Sequence, residues 1–258
     1  MDYDVIVIGA GPGGVEAARI LGRNKQKVAL VDYREIGGTC LNRGCIPAKT
    51  MLYCADLFRG AQSLLEYGID IHGTKPSLDF EKMIAKRTEI MTKIRAGYTR
   101  ITKNDGVDFI EGFANFLDAN TIEVAGKKYT ADKFVLATGA NALTFPGFLK
   151  EDPRFLIADN IFELKQMPES ILIVGAGPVG VEFASFFNAF GVQVTIVDAA
   201  DSFLNFYDSD LGKTLISEFN KQGIQTYTKT LVQEIDSSDP KILKAKLSNG
   251  QTIEAQNV

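Results

Sequence analysis

Short apolar runs alternate with amphipathic stretches along the chain. Residues 4–8, 27–31, 133–137 and 170–174 are rich in Val, Ile and Ala, and each gives way to Gly or Asp within two residues. Runs of that length read as strands of a parallel sheet. Residues 12–23 carry an apolar face at helical spacing, and residues 51–65 continue a helix begun upstream. Ser77 reads as the N-cap of a long helix with Asp79 and Glu81 in its first turn. Its stripe is Phe80, Met83, Ile84, Ile90, Met91, Ile94, Tyr98 and Ile101. Arg87 interrupts that stripe, which reads as a packing face rather than a cofactor box. Residues 107–124 read as strands, with Ala125-Gly126 as a turn toward a further strand at 128–130. The Pro146-Gly147 turn and the charged stretch 150–154 predict a domain boundary. Asp159 is expected to cap a short helix to Lys165, and a helix near 208–222 and strands from 224 to about 253 follow.

The first of these units carries chemistry. After the run at 4–8 come Gly9, Gly11 and Gly14 in G-x-G-x-x-G spacing, then a helix, a second strand and Asp32. Gly9 permits a tight turn, Gly11 lets backbone N–H groups approach a pyrophosphate, and Gly14 lets helix and strand pack closely. The helix N-terminus favours the anion, and Asp32 can accept ribose hydroxyls. The pattern recurs 166 residues on without a gap: Gly175, Gly177, Gly180 and Asp198 repeat Gly9, Gly11, Gly14 and Asp32. A lone glycine fingerprint is weak. Two in register, each after an apolar strand and each closed by an acid, predict two dinucleotide sites arising by internal duplication. The expected fold class is therefore α/β, with two Rossmann-like three-layer (ββα) nucleotide-binding domains at 1–148 and 149–258.

Composition narrows the partners. The 258 residues carry a net charge of −4, and their Lys and Arg are dispersed, so neither nucleic acid nor an anionic membrane is expected as a partner. The N-terminus has no basic n-region before its first strand, and no uncharged apolar stretch is long enough to span a bilayer. A cytoplasmic protein is expected. Three cysteines are too few for a disulfide scaffold, and there a close pair reads as catalytic or metal-binding.

That pair is Cys40 and Cys45, within GGTCLNRGCIPAK at 37–49. A redox pair, two reduced structural thiols and a metal site are the readings. Zinc lacks a second Cys or His pair, so no metal site is expected. In an undistorted helix, residues five apart diverge by about 140° around the axis, which is poor for a bridge. A redox pair therefore requires Cys40 at or before the helix start, or a distorted first turn. Cys54 lies outside the motif and reads as core.

The Gly9 fingerprint, GGTCLNRGCIPAK, ATGA at 137–140 and GAGPVGVE at 175–182 together resemble the pyridine-nucleotide disulfide oxidoreductases over the whole chain, most closely their dihydrolipoyl-oxidising branch. The resemblance implies FAD in the first domain and a nicotinamide nucleotide in the second. Gly9, Gly11 and Gly14 would cradle the FAD pyrophosphate and Asp32 its ribose, although the family more often has Glu there. Gly38, Thr39 and Cys40 would line the flavin, Ala114 would meet adenine through its backbone, and Thr138 and Gly139 would sit by the phosphates. Cys45 would face the flavin as the charge-transfer thiolate, and Cys40 would exchange with the substrate. Lys49 would lie near the flavin and pair with Glu182; it follows Pro-Ala where Pro-Ser is common. Gly175, Gly177, Gly180, Glu182, Asp198 and Val232 would serve the nicotinamide nucleotide.

Asp198 opposes a 2′-phosphate, and no Arg or Lys occurs from 199 to 211, so NAD is expected rather than NADP. The implied activity passes electrons from dihydrolipoyl thiols through Cys40-Cys45 and FAD to NAD, with a lipoyl-bearing protein or small disulfide as partner. Other disulfide reductases, of glutathione or mercuric type, and a flavin- and nucleotide-binding module without turnover are the alternatives. The family continues beyond this length with the rest of the FAD site and an interface domain that builds a homodimer and supplies a His-Glu acid-base pair. The FAD domain is thus expected to be incomplete and the NAD domain to lack its last strand. His72, in a loop-like segment, does not match that catalytic histidine.

Overall fold

The computed structural model describes residues 1–70, 75–145, 147–158 and 160–258. His72, the Asp159 cap and Pro146 of the expected turn lie outside the described residues. The chain divides into two compact units, Met1–Pro47 with Ala85–Asn141, and Ala48–Ile84 with Ala142–Val258.

The first unit opens with β1 (Tyr3–Ile8), α1 (Pro12–Arg23) and β2 (Val28–Asp32). The short helix α2 (Gly38–Arg43) follows, and α3 (Cys45–Ser63) begins at the second cysteine and continues into the second unit. Helix α4 (Phe80–Asn104) starts two residues later than Ser77 predicts. Asp79 is its cap, its carboxylate accepting the Lys82 backbone N–H at 3.0 Å. Arg87 is buried on its stripe, and burial lowers the proton affinity of its guanidinium.

Next come β3 (Val107–Glu111), β4 (Ala114–Phe116), β5 (Thr121–Val124) and β6 (Lys127–Leu136). They complete a six-stranded sheet in the order β3-β2-β1-β6-β5-β4. Two separate strands were expected at 128–130 and 133–137. They form one strand, because β6 changes partners partway: it pairs antiparallel with β5 up to Thr130 and parallel with β1 from Ala131. The expected turn at Ala125-Gly126 joins β5 to β6 with both residues at positive φ, 50° and 76°, the two-residue hairpin geometry that matches strand twist. Val5 and Val7 pack with Val28, Leu30, Val15 and Ala18 beneath α1, while Ile6, Ala29 and Val31 pack with Ile122, Val124 and Ala131 on the other face. This is the two-sided burial that the unbroken apolar runs require.

In the second unit β7 (Ser170–Val174), α5 (Pro178–Ala189), β8 (Gln193–Val197), α6 (Ser209–Lys221) and β9 (Gln225–Tyr227) repeat the same scheme. Helix α5 spans the residues of α1 shifted by 166. It is more apolar than α1 and buries Phe183, Phe186 and Phe187. Phe58 of α3 stacks on Phe190 at 4.9 Å, so α5 is covered by α3 as well as by its sheet. Strands β10 (Val232–Asp236), β11 (Leu243–Leu247) and β12 (Thr252–Ala255) form an antiparallel meander. Asn257 then bridges in parallel to Ile171 of β7. The helix expected up to Lys165 is only a 3₁₀ turn, Ile161–Glu163.

Helix α1 is tied to the end of α4 by Asp105, which accepts from Arg19 Nε at 2.8 Å and from Arg23 Nε at 3.1 Å. Hydrogen bonds from Arg23 and Arg19 hold its carboxyl below the usual aspartate range. A depressed carboxylate stabilises the fold above its unfolded value and loses that contribution as pH falls through its folded value. Asp105→Asn is therefore expected to unfold earlier than the unsubstituted chain in denaturant at neutral pH. The gap should close in acid, below the ordinary aspartate range; a gap that persists there would mean that the ion pairs are not its source.

Close packing at the first glycine loop gives a second test. A Cβ on Gly14 would overlap the Gly9 carbonyl oxygen, whereas one on Gly13 meets open space. Gly14→Ala should cost about 3 kcal/mol or more by overpacking. Gly13→Ala should be neutral or stabilising by up to about 1 kcal/mol through helix propensity. Thermal midpoints of the two variants decide it.

Candidate functional site

Both glycine loops are built the same way, residue for residue. Gly9 and Gly175 take φ of 105° and 107°, a region that favours glycine, and each donates its N–H at 2.8 Å to the end of the second strand, at Val31 and Val197. Gly11 and Gly177 are the extended N-caps of α1 and α5, and no side chain caps either helix. The first-turn N–H groups are thus left for an anion. A Cβ on Gly11, Gly13 or Gly177 would meet no atom within 4 Å, so these edges are open to a ligand. A Cβ on Gly14 or Gly180 would collide with its own loop.

The two acids have a part in the loops that the sequence reading did not assign to them. Asp32 Oδ2 accepts the Ala10 N–H at 2.7 Å and Oδ1 accepts the Arg34 N–H at 3.0 Å. Asp198 does the same for Ala176 at 2.6 Å and Ala200 at 2.7 Å. Each carboxylate oxygen keeps further lone pairs for a ribose hydroxyl. The surroundings differ between the two loops. Gly9 packs against the Ala137 carbonyl, with the Thr138 nitrogen next to it, whereas Gly175 has no such neighbour. Ala114 starts β4 opposite Val124, and Val232 is buried at the start of β10.

Cys40 and Cys45 form a disulfide with Cα atoms 4.6 Å apart. The expected distortion lies at Gly44, where the chain leaves α2 at φ −148° and ψ −110° and re-enters helix at Cys45. A Cβ there would stand 3.1 Å from the Thr39 carbonyl oxygen and 3.4 Å from Cys40 Cα. The glycine thus lets the two segments close up. Cys45 is exposed, Cys40 half-buried, and Gly38 approaches so near Gly11 that its Cβ would lie 2.6 Å from Gly11 Cα. The redox segment and the first glycine loop are therefore in contact, helped by the Gly37 N–H donating to the Ala10 carbonyl at 2.8 Å.

Asn42 and Arg95 support this segment and were missed from sequence. Buried Asn42 donates through Nδ2 to the carbonyls of Ile36 and Gly38 and accepts from Arg95 Nε at 3.0 Å. Asn42 lies inside the cysteine motif, but no sequence signal points to Arg95, which arrives from α4. In the second unit Lys49 Nζ meets Glu182 Oε1 at 2.7 Å, joining α3 to α5. One turn further along α5, the Ser185 carbonyl accepts from Arg59 Nη2 at 2.6 Å. Burial pushes the Cys54 thiol up, which makes it a poor nucleophile.

No helix of the described residues is long and apolar enough to cross a membrane. A family model described as pyridine nucleotide-disulphide oxidoreductase matches residues 3–258. Dihydrolipoyl dehydrogenase of Mycoplasma genitalium is 36% identical over 92% of this chain and 53% of its own length. That of Acholeplasma laidlawii is 33% identical over 91% and 71%. The solved HOCl-induced flavoprotein disulfide reductase RclA of Escherichia coli superposes with a TM-score of 0.83 at 26% identity, covering 99% of this chain and 55% of that one. The chain thus spans about half the length of most of these relatives.

Removing charge from either loop acid tests the loop design. In Asp32→Asn, one acceptor oxygen becomes an amide that cannot accept from a backbone N–H. A hydrogen bond to a charged group is worth about 1.5–3 kcal/mol, so a loss of that order is expected in denaturant unfolding. Asp198→Asn should show a similar loss. No loss in either would mean that the loops hold their shape without the carboxylates.

Proposed function

The chain belongs to the pyridine nucleotide-disulphide oxidoreductase family, and we propose that it carries the flavin, redox-disulfide and nicotinamide-nucleotide sites of an NAD-dependent dihydrolipoyl dehydrogenase. The observation that carries this reading is the Cys40–Cys45 bridge packed beside a glycine loop that has an open edge for a pyrophosphate.

The residues fit FAD in the first unit. Gly9, Gly11 and Gly14 would hold its pyrophosphate on the α1 N-terminus, and Asp32 its ribose. Thr138 and Gly139 would border the phosphates, Ala114 the adenine, and Gly38, Thr39 and Cys40 the flavin. In the second unit Gly175, Gly177, Gly180, Asp198 and Val232 would take NAD, with Glu182 holding Lys49 in place. When bound, FAD accepts the electron pair delivered by the dithiol and passes it on to NAD.

The chain's own part is thiol–disulfide exchange. A substrate thiolate attacks Cys40 Sγ, the Cys40–Cys45 bond breaks, and Cys45 leaves as a thiolate. The second substrate thiol then attacks the mixed disulfide and releases Cys40. The substrate leaves as a cyclic disulfide, and the bridge has gained two electrons and one proton: Cys40 is a thiol, Cys45 remains a thiolate, and the second proton of the substrate dithiol passes to solvent. Dihydrolipoyl groups suit this, since two thiols on one molecule make the second attack intramolecular. The partner is a lipoyl-bearing protein or a small disulfide, the assembly a homodimer and the compartment the cytoplasm.

Nucleotide choice follows from charge. The Asp198 carboxylate would face a 2′-phosphate with no Arg or Lys between 199 and 211 to offset it. Titrated anaerobically into the FAD-loaded chain, NADH should bleach the flavin and raise a long-wavelength thiolate band, with NADPH at least about tenfold weaker, about 1.4 kcal/mol. Cys45→Ser should abolish the band while the flavin still bleaches. A band that survives that substitution would remove Cys45 from the role given to it.

A further inference from the structure

Helix α2 has little of its own to hold it. It is six residues long and no side chain caps its start. A helix of that length does not persist alone. Yet it carries Cys40 and must bring it to Cys45, with the Cα atoms 4.6 Å apart. The bridge fixes that spacing only while it is closed. One support does not depend on the bridge. Asn42 Nδ2 donates to the Gly38 carbonyl at 3.0 Å and to the Ile36 carbonyl at 3.2 Å. Its Oδ1 accepts from Arg95 Nε at 3.0 Å. Arg95 comes from an anchored stretch of α4: Tyr98, one turn on, packs on the core under α1, and Thr102 is buried. Arg95 Nη2 also stands 4.0 Å from Glu35 Oε1. That ion pair is partly exposed and contributes little, so the bond to buried Asn42 is the one that orders the segment.

We infer that Arg95 is a positioning residue that sets how readily the Cys40–Cys45 bridge opens. The inference rests on the reading of this pair as the redox centre. With the bridge closed, α2 is already ordered, and Arg95 holds Asn42 without further ordering. With the bridge open, the same bond must order a segment that is otherwise free to loosen. The bond therefore stabilises the disulfide more than the reduced pair. It also keeps the open thiols near the spacing a bridge needs, about 4.4–6.8 Å between Cα atoms. Thiols held in that way reclose as if at high concentration. Loss of the Arg95 bond frees the reduced segment and tips the equilibrium toward it. A residue that only supported the fold would stabilise both forms alike and leave that equilibrium unmoved.

The test equilibrates the whole chain anaerobically with dihydrolipoamide and lipoamide at graded ratios. Two electrons pass from the probe's sulfurs to the bridge, whose S–S bond breaks as the probe's forms, with protons exchanged through the buffer. Alkylation and mass spectrometry then count the open Cys40 and Cys45. Arg95→Met keeps the side chain's length but carries no donor, whereas Arg95→Gln restores an N–H at the position of Nε without the charge. Arg95→Met should shift the equilibrium toward the reduced pair about fivefold, the effect of one net hydrogen bond, which is about 20 mV for a two-electron couple. Its oxidised form should lose more thermal stability than its reduced form. Arg95→Gln should match the unsubstituted chain, and in an Asn42→Leu background Arg95→Met should add no further shift. No shift in Arg95→Met, an equal shift in Arg95→Gln, or a further shift in the Asn42→Leu background overturns the inference alone. So does an Arg95→Met chain that fails to fold or loses the same stability in both forms, since Arg95 would then be structural. An unsubstituted pair that does not respond to the probe at any ratio overturns the redox reading, and this inference with it.

Discussion

In each unit one carboxylate at the end of the second parallel strand holds the loop that follows the first. The Ala10 and Ala176 residues are buried, and their N–H groups face the sheet end, where no carbonyl of a strand ladder reaches them. Left alone, such a donor would cost about 1–3 kcal/mol. Asp32 and Asp198 remove that cost and, by accepting a second N–H two residues on, also set the turn that leaves the strand. The positive-φ glycine, the close crossing of Gly14 or Gly180 over its loop and the uncapped helix start depend on the loop being fixed in this way. The acid therefore shapes the loop from within the chain itself.

The redox segment solves a different problem. Two cysteines five apart need their Cα atoms within bonding range, which a continuous helix denies. The chain breaks the helix at Gly44 and replaces the lost ladder with side-chain support. Asn42 closes α2 onto the Ile36 and Gly38 carbonyls, and Arg95 reaches in from α4 to hold Asn42. A disulfide that opens and closes gains from such a scaffold, because the surrounding backbone need not depend on the bridge for its shape.

Much of this was legible in the sequence, for a physical reason. The glycine loops, the acids and the cysteine motif are local: each obeys constraints set within about thirty residues, so spacing reveals them. The long-range partners were not. Arg95 meets Asn42 across 53 residues, and Asp105 meets Arg19 across 86. Nothing in either neighbourhood marks those charges out from dispersed surface Lys and Arg. Ser77 was read as a cap because Ser is a good one, but Asp79 sits closer to the first helical turn and holds the Lys82 N–H. The continuity of β6 was hidden because its apolar pattern changes at Ala131, where its partner changes from β5 to β1.

The two cradles also show where ligand choice must lie. Their backbones agree to within a few degrees at Gly9 and Gly175 and at Gly11 and Gly177, so the fingerprint cannot tell one dinucleotide from another. What differs is the rim. The first acid is followed by Tyr33-Arg34 and the second by Ala199-Ala200, although the hydrogen bond to the second of these residues is kept in both. The first loop has the Ala137 carbonyl against Gly9, and the second has open space. The shared loop geometry is held by its own packing, since a side chain at Gly14 or Gly180 would collide with the loop carbonyl. The two rims therefore present different side chains beside loops of the same shape.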